Sequence, residues 1–275
     1  MIITMKDLSK VLIITDMDGT LLPSDKKLNK KDLAAIESFR KCGGHFSIAT
    51  GRSIQSASQY FDELKLTEPV IVCNGGGIFD CGKGNFTWEK FVEETAYDVV
   101  NEIFEHFPHI GGEVSLSNEI LVPKMSAKEQ YHLDISYGDK FRRAEMKDIP
   151  TGGWCKFLFA AESGEIDELV RYVSENVKEN LTFVRSSMNF FEILPNSCSK
   201  GSALKKLTEL YSMDDWTVVA CGDFDNDLEM IKFADIGFAP SNAQDCVKEA
   251  ADFISDADCS SGFMSEVINH VMNVL

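Results

Sequence analysis

Four short apolar runs, each stopped abruptly by polar turn-forming residues, limit what this chain can fold into. Residues 11–15 run into Asp16-Met17-Asp18-Gly19-Thr20, and residues 45–49 into Thr50-Gly51-Arg52. Residues 70–73 run into Asn74-Gly75-Gly76-Gly77, and residues 216–221 into Gly222-Asp223-Phe224-Asp225-Asn226-Asp227. Apolar runs this short, bounded by turn signals, read as buried strands. Helical segments separate them. Asn29 is placed to cap a helix over 30–42 with Leu33, Ile36 and Phe39 on its apolar stripe, and Gly43-Gly44 end it. Residues 53–64 and 200–211 read as further helices. Strand–helix–strand alternation predicts an α/β fold with a parallel sheet and crossover helices. In such a sheet the polar strand ends share one edge, where open α/β sheets bind ligands.

The alternation breaks near Asp80 and resumes after Leu194. Between them lie a tight turn at Gly82-Lys83-Gly84-Asn85, a returning strand at Phe86-Thr87-Trp88, and helices over 94–107 and 166–176. Short strands are expected at 120–122, 156–159, 182–184 and 190–193. Strands joined by loops with few helices predict an α+β insert around an antiparallel sheet. The expected organisation is therefore a Rossmann-like core over 1–81 and 195–275, interrupted by an inserted α+β domain over 82–194. The aromatics of that insert (Trp88, Phe91, Tyr131, Trp154, Phe190, Phe191) are expected to form its core.

Charge narrows the choice of partner. Forty-four acidic against 27 basic side chains give a formal charge of −17, which repels nucleic acid. A phosphorylated ligand would need a local positive site. No apolar stretch approaches the roughly 20 residues of a membrane span, and no signal peptide is expected at the N-terminus. Eight cysteines without a C-x-x-C pair read as reduced thiols of a soluble, cytoplasmic protein. His106 and His109 are close in sequence, but nothing near them completes a zinc set.

The chemistry concentrates at the first strand end. Asp16 and Asp18, at i and i+2 of an extended segment, point to one side. Two carboxylates that close need a cation, or a proton on one of them. Other motif readings fail on their own terms. Residues 223–227 open like a calcium loop, but Leu228 and Ala234 stand where that loop needs Gly and Glu. Residues 77–83 match a P-loop until Gly84 replaces its Ser or Thr. Lys200, beginning a helix, is either a surface lysine or a cation that joins the helix N-terminus in gripping a phosphoryl group.

Taken in order, Asp16-Met17-Asp18-Gly19-Thr20, Thr50-Gly51-Arg52, Lys200 and Gly222-Asp223-Phe224-Asp225-Asn226-Asp227 resemble the four motifs of the haloacid dehalogenase superfamily. The insert between the second and third motifs, Cys73-Asn74-Gly75-Gly76-Gly77 before it, Ser241-Asn242-Ala243 and Ala251-Asp252 are similar to the Cof-type sugar-phosphatase branch. One departure is local: Ser261-Gly262-Phe263 stands where that branch has Asp-Gly-Val, at an expected core–cap contact. The resemblance implies an Mg²⁺-dependent phosphatase of small phosphorylated metabolites, with the insert as a closing cap.

On that resemblance Asp16 is the nucleophile that becomes an aspartyl-phosphate, and Asp18 the acid and base. Mg²⁺ is held by Asp16, the Asp18 carbonyl and Asp223. Thr50, the amides of Met17 and Gly51, Lys200 and Asn226 grip the phosphoryl oxygens, and Asp227 orients Lys200 or a metal-bound water. The pairing agrees with acid–base physics, because one carboxylate must be ionised while its neighbour carries a proton. A phosphomutase sharing the intermediate and a non-catalytic sensor of phosphate esters are the rival readings. The intact pair of Asp16 and Asp18 argues against the sensor.

Overall fold

The computed structural model describes residues 7–275. The central strand of the first sheet, Val11–Thr15, is buried along its whole length. It pairs in parallel with Thr217–Cys221 on one side and His45–Ile48 on the other. Ile236–Ala239 and Phe253–Ile254 extend the sheet beyond Thr217–Cys221. At the opposite edge a parallel bridge from Ala49 to Ile71 brings Pro69–Val72 alongside. The first strand among the described residues thus lies in mid-sheet, with successors on both flanks. This is the switch-point arrangement that opens a crevice at the strand ends.

Local chemistry explains most element boundaries. The helix Lys30–Lys41 starts at Asn29, whose side chain accepts from Lys31 N at 2.9 Å. It ends before Gly43, which adopts φ +89°. The helix expected over 53–64 is instead three pieces, Ile54–Ala57, a 3₁₀ turn Ser58–Tyr60, and Phe61–Leu64. Ser58 Oγ bonds Gln55 O at 3.4 Å and Gln59 Nε2 bonds Ser56 O at 2.7 Å. Side chains that bond nearby carbonyls compete with helical pairing, and this run is rich in them.

The described chain separates into two compact units. One comprises the described residues up to Gly51 with Tyr60–Thr87 and Ser199–Leu275; the other comprises Arg52–Gln59 and Trp88–Cys198. The second unit is built on a sheet in the order Thr182–Arg185, Phe190–Leu194, Trp154–Ala160, Gly111–Leu116, Ile120–Lys124, Arg142–Arg143. All its pairings are antiparallel except the last. Helices Ala96–His106 and Ser163–Asn176 cover one face, packing on Val114, Phe157, Phe159 and Ile193. A third helix, Ala127–Ser136, places Leu133 with Ile120 and Val122 of the other face.

Two elements of this unit escape the sequence pattern. Gly111–Leu116 is central to the sheet yet carries buried Glu113 and Ser115 in place of an apolar alternation. Ala127–Ser136 buries only Glu129 and Leu133, so it shows no apolar stripe. The aromatic expectation is also corrected in part. Trp154 and Phe191 are buried, but Phe91 and Tyr131 are 39% and 59% exposed. Their neighbours Val92 and Leu133 turn inward in their stead. No helix among the described residues is long and apolar enough to cross a membrane.

Candidate active site

Parallel register brings the polar strand ends together. Thr15 lies opposite both Cys221 and Ile48, so Asp16 follows the same sheet row as Gly222 and Ala49. Asp16 N bonds Cys221 O at 2.8 Å, Ala49 N bonds Thr15 O at 2.9 Å, and Thr50 N bonds Ile71 O at 2.9 Å. These bonds fix four loops at one edge.

The first loop turns on Met17, whose carbonyl accepts from Leu21 N at 2.9 Å and Leu22 N at 2.6 Å. Gly19 permits the turn at φ +93°. A Cβ there would also stand 2.5 Å from Asp223 Oδ2, so glycine lets the first and fourth motifs approach. Thr20 Oγ1 donates to Asp223 Oδ1 at 2.5 Å. Gly222 makes similar room, because a Cβ on it would meet the Asp227 side chain at 2.3 Å.

Lys200 is the first residue of the helix Lys200–Leu210, whose N-cap Ser199 accepts from Ser202 N at 3.0 Å. Of its two sequence readings the solvated surface lysine is excluded: the residue is 1% exposed. Its ammonium donates to Asp16 Oδ1 at 2.5 Å and to Asp227 Oδ1 at 2.7 Å. Asp227 is fully engaged, its Oδ2 accepting from Asp223 N at 2.9 Å and Phe224 N at 3.1 Å. That bonding holds the lysine and the Asp223 loop in one arrangement.

The electrostatics call for a cation. Asp16, Asp223 and Asp227 each place a carboxylate oxygen within 4.8 Å of the others. Three carboxylates against the one ammonium leave two negative charges in a buried setting. Burial drives the Asp16 carboxyl well above its usual range, against the pull of Lys200 and with the push of Asp227 and Asp223. Burial likewise raises Asp223 to about 6, against its hydrogen bond from Thr20. Lys200 loses to desolvation but gains more from Asp16 and then Asp227, so its ammonium is held charged. A hard, all-oxygen donor set with a residual double charge fits a divalent ion such as Mg²⁺. Since both oxygens of Asp227 are already bonded, Asp16 and Asp223 are the side chains that would hold it.

The other expected residues lie around this centre. Asp18 is outside the three-carboxylate group, and its Oδ1 pairs with Lys26 Nζ at 2.6 Å. Asn226 Nδ2 donates to Asn74 Oδ1 at 2.9 Å, and Asn74 N bonds Thr50 O at 3.0 Å. A Cβ on Gly51 would touch the Asn74 amide at 3.0 Å. Thr20, Lys26 and Asn74 are the contacts that the motif reading omits. Thr20 stands within the first motif and Asn74 at a strand end, so their positions carried a signal; nothing marked Lys26.

A family model described as haloacid dehalogenase-like hydrolase matches residues 13–267. The chain belongs to the haloacid dehalogenase-like hydrolases.

Within that family it is a Cof-type member and a phosphoric monoester hydrolase. It is 31% identical over 268 residues to the 5-amino-6-(5-phospho-D-ribitylamino)uracil phosphatase YcsE of Bacillus subtilis, covering 96% of this chain and 97% of the relative. The phosphatase YbjI of Escherichia coli, named for the same substrate, is 26% identical across 95% of this chain and 96% of its own. Among solved structures, a haloacid dehalogenase-like hydrolase from Bacteroides thetaiotaomicron superposes with a TM-score of 0.84 at 25% identity. That match covers 95% of this chain and 99% of the other.

Proposed function

We propose that this phosphatase is Mg²⁺-dependent and hydrolyses small phosphorylated metabolites of the sugar-phosphate kind through an aspartyl-phosphate on Asp16. The observation that carries this reading is the contact of Lys200 with Asp16 beside Asp223. It sets a buried carboxylate against a fixed cation where a dianionic group can be bound. Mg²⁺ held by Asp16, the Asp18 carbonyl and Asp223 would offset the repulsion between the Asp16 carboxylate and the incoming phosphoryl group.

In the first step an Asp16 oxygen forms the new P–O bond, the ester P–O bond breaks, and Asp18 gives its proton to the leaving alkoxide. In the second, Asp18 takes a proton from water as that water attacks phosphorus. The P–O bond to Asp16 then breaks, and inorganic phosphate leaves. Thr50, the Met17 and Gly51 amides, Lys200 and Asn226 bind the equatorial oxygens as charge spreads over them. Asp227 keeps Lys200 in place. Asp18 must leave its contact with Lys26 to reach the leaving group.

The inserted region, 82–194, is the cap that excludes water during the reaction. The ribitylaminouracil phosphate in the names of both relatives above is a polyol monophosphate, and it heads the substrates to try. Eight free cysteines support a reducing, cytoplasmic setting. The test is phosphate release from a panel of sugar and polyol phosphates, with and without Mg²⁺, by the wild type and Asp16→Asn. Mg²⁺-dependent release that Asp16→Asn lowers by about a thousandfold or more supports the reading. Wild-type turnover in Asp16→Asn would sink it, and isomer formation without phosphate release would make the protein a mutase.

A further inference from the structure

The second unit holds a cluster of ligand-type side chains that phosphate hydrolysis leaves unused. Glu113 stands on the central strand Gly111–Leu116, on the face opposite the apolar cluster around Val114. Glu129 and His132 stand one turn apart on the helix Ala127–Ser136. One ligand atom from each lies within 4.8 Å of the other two. Glu113 and Glu129 are fully buried, and the His132 side chain is 12% exposed.

What sets this cluster apart is its missing hydrogen bonds. Both carboxylate oxygens of Glu129 are buried without a hydrogen-bond partner, as is Glu113 Oε2. His132 Nδ1 also has none, although it stands 3.3 Å from Glu113 Oε2. Glu113 Oε1 alone is engaged, by the Tyr137 hydroxyl at 2.9 Å. The nearby buried ammonium of Lys156 holds Glu192 at 3.0 Å and also attracts Glu113 and Glu129, so one lysine faces three buried carboxylates. Buried polar atoms in folded proteins are nearly always partnered, and a set of orphans converging on one point calls for an ion. His132 is steadied for that role by Phe190 and Tyr137, with ring centroids 4.9 and 5.7 Å away.

We propose that Glu113, Glu129 and His132 form a second metal site, built from residues other than the phosphatase centre and taking a first-row divalent transition ion. Two carboxylates and an imidazole nitrogen make a mixed donor set that suits Zn²⁺ or Mn²⁺, whereas Mg²⁺ favours oxygen alone. Glu and His at i and i+3 of a helix, completed by a carboxylate from another element, is a known way of building such sites. The ion fastens a helix with little apolar surface to the middle strand of its sheet. Its role is structural.

The test counts metal in the full-length protein once the phosphatase centre is disabled. The Asp16→Asn/Asp223→Asn protein is stripped with chelator, dialysed against Zn²⁺ and assayed by mass spectrometry of the metal. One tightly held Zn²⁺ per chain is expected, falling to none when Glu129→Gln and His132→Gln are added. Absence of Zn²⁺ in the first protein, or an equivalent that survives the added changes, overturns the proposal. A proton shared by the two glutamates would then occupy the cluster. A second measurement needs no variant: Mn²⁺ bound to the wild type should show nitrogen coupling from one imidazole by pulsed electron paramagnetic resonance. Its absence overturns the proposal equally. Neither experiment reads phosphate release, so the outcome is independent of the catalytic reading.

Discussion

Lys200 and Asp16 stand 184 residues apart in the chain, yet the ammonium of one donates to the carboxylate of the other at 2.5 Å. The same ammonium reaches Asp227, so a single buried cation ties together three of the four motifs. Removing it leaves two buried carboxylates without a counter-charge.

Lys200→Met should therefore destabilise the protein by about 3–5 kcal/mol, as breaking buried ion pairs does. Turnover should fall by about a hundredfold or more if Lys200 makes the proposed phosphoryl contact. Urea unfolding of the wild type and variant, paired with phosphate-release assays, measures both. A variant of unchanged stability would show that the pair is not coupled in the folded state.

Thr20 holds Asp223, which we propose as a metal ligand. Thr20→Val keeps the side-chain shape but removes the donor to Asp223 Oδ1. The expected cost is about 1–2 kcal/mol in stability. A higher Mg²⁺ concentration for half-maximal activity should accompany it, with activity at saturating Mg²⁺ largely retained. A Mg²⁺ titration of the rate distinguishes this from general damage, which would lower the maximum instead.

Gly75 matters because of what lies behind it. It adopts φ +99°, and a Cβ would stand 2.2 Å from the carbonyl oxygen of Ser199, directly before Lys200. Gly75→Ala must shift the start of the Lys200 helix or strain its own backbone, at a cost of about 1–3 kcal/mol. Its kcat should drop although no group that touches phosphate has changed. Steady-state kinetics and thermal melting check the two effects, and a fully active, equally stable variant would contradict the geometry.

Asp32 supplies a pH test. It accepts from Ser265 N at 2.7 Å at the start of the last helix, and burial, opposed by that bond, raises its carboxyl to about 6 from an ordinary 3.8. A carboxyl raised on folding binds its proton more tightly when folded. Its contribution is complete below about 3.8 and is lost as pH rises through about 6. At about 1.4 kcal/mol per pKa unit the displacement is worth at most about 3 kcal/mol, which residual solvent access reduces to about 1–2. Asp32→Asn keeps an acceptor and removes the charge. Its stability relative to wild type should rise between pH 4 and 6 and then level off, as followed by urea unfolding across that range.

The catalytic half was open to reading because its signals are local. The polar ends of four apolar runs and the spacing of Asp16 to Asp18 are properties of neighbouring residues. In a parallel sheet neighbouring residues at strand ends must meet at one edge. Lys200 was ambiguous for the same reason: one lysine at a helix start reads alike whether it is solvated or buried.

The amino-acid sequence by itself determined the alternating α/β core, the interruption within it, and the carboxylates and lysine expected at the strand ends. Only the tertiary structure decided that Lys200 is buried against Asp16 and Asp227, that Thr20 holds Asp223, and that Glu113 meets Glu129 and His132. Apolar periodicity records which side faces a core. It is silent where a sheet face and the helix over it are built from buried polar groups, because there only long-range contact distinguishes a core position from a surface one.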